Sequence, residues 1–576
     1  MIESAVPHTV VLGRSARRDS WTMVRLDERG SELGRNDVAA AALNAEVADL
    51  EGRAHPRWVV RHLREVYPPL LAAGVRIRRA HDLLLCHAIL RDTASLADPV
   101  PPSSRWIRSD PLATTIAMPA LFDLHEVAPP ESGDPFAEVD ELLAEYARQR
   151  AALGRAPDGR LALLCAAEST GALVAEEMTA AGLPWSTAVH EGLLADSLGP
   201  RPVLGARPAR MAELAALIGE TLEDAAVNPD SPPRLLKALR RSGILVESTS
   251  RWELGEIEHP VVEPLLAYKK LARLYTANGW AWLAEWVHEG RFRPVYLTGG
   301  VVTGRWASSG GGALQIPRSL RPAVRADEGW TLICADVAQL EPRVLAAMSK
   351  DRAMAAAARG ADLYEGVVRS GAVQTRQEAK YAVLGAMYGA TTGPSGQLGP
   401  RLRTVFPRAM ALVDGAAKTG EDGGVVSTLL GRSSPRPDAH WTAAQSRASD
   451  PDADGADERL ARSRARDRGR FTRNFVVQGT AAEWSLLWLA EIRHRLTALP
   501  DAPEPAPGSG PVFSRRAHLA FFLHDEVIVH APQTQADEAA RVVQDAADAA
   551  TRRLFPGFEI DIPLDLRIAV DAGKDS

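Results

Sequence analysis

Thr331–Asp351 reads TLICADVAQLEPRVLAAMSKD. Its opening run, TLICA, is apolar and long enough for one buried strand. The run stops at a carboxylate, Asp336. Glu341 and Pro342 follow, and then an apolar-periodic segment (Val344, Leu345, Met348) that predicts a helix. Proline fits the first turn of a helix, where its missing N–H would have had no partner. The stretch therefore predicts a strand that carries an acidic side chain to a sheet edge, with a helix starting just beyond. Such a turn is a common way to build a metal or phosphate site, but it is also ordinary structural architecture. Its meaning depends on what surrounds it.

The chain has 576 residues, which predicts two to four domains. At 46% hydrophobic and 24% charged it can bury ordinary cores. No apolar run approaches the ~18 residues of a membrane span. The N-terminus, MIESAVPHTVVLGRSARRDS, lacks the apolar core of a signal peptide, so a cytoplasmic protein is expected. Cys86, Cys165 and Cys334 lie far apart in apolar runs, which suits buried thiols in a reducing compartment. The net charge of −6 does not advertise nucleic-acid binding, yet it is compatible with basic residues gathered in a groove.

Outward from the opening stretch, the first 100 residues alternate short strands (HTVVLG, WTMVRL) with helical runs, WVVRHLREVYPPLLAAG and AHDLLLCHAILR. Asp82 opens the latter and suits a helix cap. DPVPPSSRW is a loop, FAEVDELLAEYARQRAAL is a helix, and LALLCAAE fits either a strand or a buried helix. From about 207 the chain is strongly helical. NPDSPPRLLKALRRSG predicts a helix from Pro232, capped by Asp230 or Ser231, with Arg234, Lys237, Arg240 and Arg241 along it. HPVVEPLLAYKKLARLYTANGWAWLAEWV predicts one further helix, bearing Lys269, Lys270 and Arg273. Basic helix faces are usually just solvated, but positioned positive charge is all that backbone phosphates require.

A Gly- and Ser-rich stretch with Arg305, Gln315, Arg318, Arg321 and Arg325 leads into the opening strand. Glycines allow close backbone approach and arginines suit phosphate. Beyond Asp351, TRQEAKYAVLGAMYGATTG places Arg376, Lys380, Leu384 and Tyr388 at fourfold spacing on one broad helix face, where two cations a turn apart suit a polyphosphate. Residues 433–470 are low in complexity, acidic and then basic, and predict a mobile surface insertion whose basic end touches nucleic acid. NFVVQGTAAEWSLLWLAEIRHRLTAL predicts a long helix, and PDAPEPAPGSGP a loop. AHLAFFLHDEVIVHAP predicts a hairpin with His524, Asp525 and Glu526 at its tip.

A strand-end Asp, an Arg/Lys/Tyr helix and an HDE hairpin, in that order, resemble family A DNA polymerases, the bacterial DNA polymerase I family. DVAQLEPRVLAAMS looks like the family's first catalytic motif, RQEAKYAVLGAMYG like the second and LHDEVIVHAP like the third. TGRWASSGGGALQIP, RNFVVQGTAAEW and NPDSPPRLLKAL match further family segments. The similarity runs from about 207 to the C-terminus, and the combination is very specific.

The resemblance implies an α/β multidomain fold. A ribonuclease-H-like, exonuclease-type domain over 1–200 would precede a right-hand polymerase domain over 201–576, with the thumb at about 207–290, the palm at about 291–350 and 475–576, and the fingers at about 351–474. It also implies template-directed DNA synthesis, with dNTPs added to a primer 3′ end by two-metal-ion phosphoryl transfer in repair or replication. The implied partners are primer–template DNA and dNTPs. The implied cofactor is a pair of Mg²⁺ ions, with Mn²⁺ as a substitute. The implied state is a monomer, associated with the bacterial nucleoid through DNA.

Residue by residue, Asp336 and Asp525 are implied as the bridging metal ligands, with the Val337 carbonyl assisting and Glu526 as a secondary acid. Arg376 and Lys380 would grip the incoming triphosphate, and Lys380 could protonate the leaving pyrophosphate. Glu341 occupies the position of a sugar gate and Tyr388 the templating position. Leu384 and Tyr364 also fall in the nucleotide site. Arg305, Gln315, Arg470, Asn474, Gln478 and His524 match positions that hold DNA.

The chain departs from the family pattern at Val337 (usually Tyr), Pro342 (usually Leu), Leu384 (usually aromatic) and Tyr364 (usually His). The last two bear on nucleotide affinity and sugar discrimination, not on the metal site. The DxE expected on the first strand of a proofreading site is not visible in WTMVRLDERG. Asp82 and Tyr146 match other parts of that site, but Arg150 stands where an Asp belongs, so a scaffold that has lost proofreading is expected. No 5′ nuclease domain is expected upstream. The rival readings are a catalytically weak binder of primer–template DNA and a 3′–5′ exonuclease.

Overall fold

The computed structural model describes residues 6–17, 19–107, 138–203, 205–309, 311–312, 316–360, 362–389 and 393–573. Contacts divide the chain into two compact units. One is built from Met1–Ala181, Val295–Ser309 and Gly329–Ile568, the other from Gly182–Pro294, Gly310–Glu328 and Ala569–Ser576.

The first unit holds two main sheets. In the N-terminal one, Thr9–Arg14, Ser20–Leu26 and Glu32–Ala39 form an antiparallel meander, and Arg57–Val60 and Arg79–Asp82 add in parallel beside the first strand. The spatial order is third, second, first, fourth, fifth. Side chains alternate across its faces, as a strand's twofold period requires. Val10 and Leu12 join a core with Trp58, Tyr67 and Leu173, whereas Val11 joins a separate core with Val59, Leu83 and Tyr146. Helices thus cover both faces. The parallel strands require helical crossovers, which explains why WVV and AHD are strands although both fall inside segments read as helices. Their short apolar runs feed directly into the helices Leu63–Ala72 and Leu83–Asp92, so periodicity merged the two. LALLCAAE is helical, part of Arg160–Ala181.

Asp82 does cap its helix, accepting from Leu85 N at 3.1 Å. The same carboxylate accepts from Leu63 N and contacts His62 Nδ1, both at 2.8 Å.

The second sheet is antiparallel where its register is defined. Its order is His518–Leu523, Glu526–Pro532, Trp330–Val337, Leu564–Ala569. Two long helices, Gly455–Leu496 and Ala536–Leu554, are joined by indole donors: Trp484 Nε1 to Thr551 Oγ1 at 2.9 Å and Trp488 Nε1 to the Val543 carbonyl at 3.1 Å. The first long helix also meets the N-terminal region through a buried carboxylate. Glu177 accepts from Tyr67 Oη at 2.7 Å, Arg76 Nη2 at 2.8 Å and Arg493 Nη2 at 2.6 Å. Burial opposes its charge, but the two arginines bring its pKa to about 2.

The segment expected as a mobile insertion, 433–470, is ordered. Its acids cap helices. Asp438 accepts from Trp441 N at 2.6 Å at the start of Ala439–Ala448. Asp454 forms a capping box with Asp457 at the start of the 42-residue helix Gly455–Leu496. Gln445 Nε2 donates to the Ala461 carbonyl at 2.9 Å and ties the two helices together. Composition had suggested disorder because it counts the charges without showing that they sit at caps and at helical spacing.

The second unit carries helices Thr187–Leu198, Ala209–Thr221, Pro232–Arg241, Val262–Asn278 and Trp280–Trp286. The last two were expected as one helix. They part at Gly279, where a Cβ would lie 2.2 Å from the Tyr275 carbonyl oxygen. Trp185, His190, Trp282 and Phe292 form the aromatic centre, with ring centroids 5.1–5.8 Å apart. Ser231 is the N-cap of Pro232–Arg241 but makes no side-chain cap bond. Arg241 pairs with Asp224 at 2.5 Å, and Lys269 Nζ donates to Thr249 Oγ1 at 2.8 Å. Arg234, Lys237, Lys270 and Arg273 are exposed and make no ion pair among the described residues. No described helix is long and apolar enough to cross a membrane.

Candidate active site

The strand Trp330–Val337 delivers Asp336 opposite Glu526, its cross-strand partner. Beyond the last rung, Val337 N donates to the Asp525 carbonyl at 2.9 Å, which brings Asp525 beside Asp336. The turn between the two hairpin strands passes through His524 in the left-handed region, at φ 56°. Ser485 Oγ on the long helix donates to the His524 carbonyl at 3.0 Å and anchors that turn. Burial, and then the charge of Asp336, push the Asp525 carboxyl up to about 6, against the pull of Arg305. Burial, and then the charge of Arg305, lower the His524 imidazole to about 4. Glu526 is buried beneath the tip.

After Val337 the chain turns through Gln339, another left-handed residue at φ 51°, into the helix Leu340–Ser349. Arg343 fixes that turn. Fully buried, it donates to the carbonyls of Ala338 at 2.8 Å, Gly360 at 3.0 Å and Asp561 at 2.8 Å, and to that of Ala358. Desolvation lowers its pKa to about 10. Pro342 lies in the first turn, as its missing N–H allows.

The helix Arg376–Tyr388 opens on a capping box between Thr375 and Glu378. Tyr388 Oη, at its far end, donates to Glu341, and Arg305 holds the other Glu341 oxygen. Burial and the Glu341 charge raise the tyrosine pKa well above its ordinary value. Arg376 pairs with Asp362 at 2.6 Å and lies 5.7 Å over the Tyr364 ring. Burial, and then the Glu341 charge, raise Tyr364 to about 12. Lys380, one turn along from Arg376, is exposed and unpaired among the described residues.

One cavity is lined by Arg305, Glu341, Tyr364, Leu384, Tyr388, His524 and Asp525. Seven of the residues singled out from sequence therefore meet at one place. Asp336 borders it through Asp525. Arg376 stands behind Tyr364, and Lys380 does not line the cavity. Gln478 accepts from Thr303 Oγ1 at 3.0 Å. Asn474 Oδ1 is buried without a hydrogen-bond partner among the described residues. Arg470 pairs with Asp467 and packs its stem where a Cβ on Gly389 would fall. Gln315 lies outside the described residues.

Sequence reading missed Gln339, Arg343 and Trp306. Gln339 also lines the cavity, accepts from Leu363 N at 2.8 Å and donates to Asp362 at 3.2 Å. It stands in the quoted stretch between Asp336 and Glu341, but its left-handed backbone is invisible in sequence. Trp306, also lining, stacks edge-on against Phe522 at 4.9 Å.

A strand-end acid and a hairpin-turn acid thus sit beside one cavity, next to a helix that bears arginine, lysine and tyrosine. The pattern of DNA polymerase family A matches residues 208–575, well over half of the chain, and the chain belongs to that family. The thermostable DNA polymerase I of Thermus filiformis is 28% identical over 345 residues, 55% of this chain and 36% of that protein. The DNA polymerase I of Chloroflexus aurantiacus is 26% identical over 368 residues, 59% of this chain and 35% of that protein. The chain thus matches about a third of the length of these relatives. Its fold resembles the POL domain of Pol1 from M. smegmatis, solved in complex with DNA primer-template and dNTP. The TM-score is 0.67 over 98% of this chain and 95% of that one, at 18% identity.

Proposed function

We propose that the chain is a DNA-directed DNA polymerase that extends a primer 3′ end with dNTPs on a template strand. The observation that carries this reading is the juxtaposition of Asp336 with Asp525, which the Val337 N–H holds by its carbonyl, at the rim of the cavity that Glu341, Leu384 and Tyr388 line. The donor chemistry fits divalent cations. Burial and the neighbouring Asp336 leave the Asp525 charge poorly compensated, and carboxylate oxygens suit hard ions such as Mg²⁺ or Mn²⁺. Asp336, Asp525 and the Val337 carbonyl would hold two such ions, with Glu526 behind them. When bound, they neutralise charge on the reacting phosphate and activate the 3′-hydroxyl.

Phosphoryl transfer needs alignment and charge neutralisation more than covalent help. Arg376 and Lys380, one turn apart and exposed, would grip the triphosphate, with Arg376 exchanging Asp362 for phosphate. Lys380 would give its proton to the pyrophosphate as it leaves. The Glu341 carboxylate, held by Arg305 and Tyr388, would act as the gate that excludes a 2′-hydroxyl. Tyr364, Leu384 and Tyr388 would contact the incoming nucleotide. Arg305, Gln315, Arg470, Asn474, Gln478 and His524 would hold the primer–template.

The N-terminal region is read as a degenerate ribonuclease-H-like exonuclease domain over 1–200, followed by the polymerase domain. The 3-2-1-4-5 strand order supports that fold. Its first strand, TVVLGR, carries no carboxylate. Asp82 is fully buried and engaged in capping, and the Arg150 guanidinium lies 5.7 Å over the Tyr146 ring. A monomer acting on nucleoid DNA in repair or replication completes the reading. A primer-extension gel with Mg²⁺, run with and without dNTPs, tests it. Extension with dNTPs and no shortening without them is expected, and failure to extend would overturn the assignment.

A further inference from the structure

Half of the Gly455–Leu496 helix is buried, and that half lines the cavity through Ala481, Ala482 and Ser485. The other half, its first five turns, is largely exposed and rich in arginine. Gly455–Arg473 holds seven arginines against three carboxylates, a net charge of +4. Arg459, Arg462, Arg466 and Arg470 recur at spacings of three and four, so they form one stripe along the helix. At roughly 100° per residue the stripe runs on through Asn474 and Gln478 toward Ala481 and Ser485, staying within about half of the circumference. The arginines therefore extend the side of the helix that faces the cavity.

Two features leave this stripe available to a ligand. Arg459 and Arg466 make no ion pair among the described residues. Arg462 and Arg470 are paired only with Glu458 and Asp467 on the same helix, in exposed bridges that a phosphate can replace. Arg473 is different: it is taken up by Asp414 and by the Ala386 carbonyl at 2.7 Å. Arg459 and Gln478 are ~28 Å apart along the axis. Phosphates of one strand recur every ~3.4 Å along a duplex, so that length matches about eight of them.

We infer that the stripe Arg459–Arg462–Arg466 is an additional phosphate-gripping track, which holds the backbone of a nucleic-acid strand beyond the cavity and raises affinity without reading sequence. This rests on the polymerase reading above.

The test is equilibrium binding of the full chain to a fluorescent primer–template at several salt concentrations. The variants are the triple Arg459→Ala/Arg462→Ala/Arg466→Ala, the matching triple to Lys, and Arg464→Ala, an exposed arginine on the opposite side of the helix. The alanine triple is expected to weaken binding at least tenfold near physiological salt and to reduce the log–log salt slope by about 2 to 3. The lysine triple is expected to keep the slope, and Arg464→Ala to change little. Primer-extension rate at saturating DNA should match wild type. A wild-type slope in the alanine triple would overturn the track, as would equal losses in the alanine and lysine triples. If wild type itself extends no primer, the polymerase reading falls, while the salt slopes still decide the track.

Discussion

Asp336, at the end of its strand, and Asp525, in the hairpin turn beside it, are brought together by the Val337 N–H···O=C Asp525 bond at 2.9 Å, and the Asp336 charge disfavours that of Asp525. The pair is electrostatically costly to the fold when no cation is bound. Acids held together against their own repulsion are arranged for a ligand.

Asp336→Asn and Asp525→Asn are therefore expected to reduce primer extension by about 10³ or more, a loss of roughly 4 kcal/mol of transition-state stabilisation. Thermal melting without divalent ions should stay level or rise, because the substitution relieves repulsion. A variant that extends primers at the wild-type rate would remove these acids from the mechanism.

Glu341 is held by Arg305 and Tyr388 at once. Glu341→Ala should lower the preference for dNTPs over rNTPs by about tenfold or more, as expected when a steric block is lost. Competition kinetics with matched dNTP and rNTP pairs measures it. An unchanged ratio would show that Glu341 is not the gate.

Glu177→Gln strands Arg493 and Arg76 without their buried carboxylate, and should destabilise the fold by about 3–5 kcal/mol in chemical denaturation. Its pKa is depressed to about 2, so its contribution is fully present above the unfolded value near 4.5 and is lost as pH falls toward 2. The gap between wild type and variant should narrow over that window.

Glu483 works in the opposite sense. It is buried against Thr428 and accepts from Leu430 N at 3.0 Å, and burial raises its pKa to about 7. Its stabilising contribution is present below about pH 4.5 and fades as pH rises to 7. Glu483→Gln should leave stability unchanged near pH 4.5 and improve it near pH 7. A pH series of melting temperatures for both proteins checks the crossover.

Much of the site was legible because its chemistry is local in sequence. Asp336 and Glu341 are separated by one turn, Arg376 to Tyr388 by helical spacing, and the HDE tip by two apolar arms. The elements misread were those whose local pattern is ambiguous. Trp58–Val60 is equally apolar as strand or helix, and becomes a strand because Thr9–Arg14 offers it a parallel edge. The 433–470 segment looked unfoldable by composition, yet Asp438 and Asp454 act as helix caps.

The sequence by itself determined which side chains carry charge and in what order, and it placed Asp336 at a strand end, Arg376 to Tyr388 on a helix and the HDE residues at a hairpin tip, because spacing and propensity act within a few residues. Only the tertiary structure decided that Asp525 lies beside Asp336, that Tyr388 reaches Glu341 and that Arg343 clamps the turn between them. These relationships depend on strand register, on left-handed backbone at Gln339 and His524, and on burial. Those follow from packing between segments far apart in the chain, which no local pattern encodes.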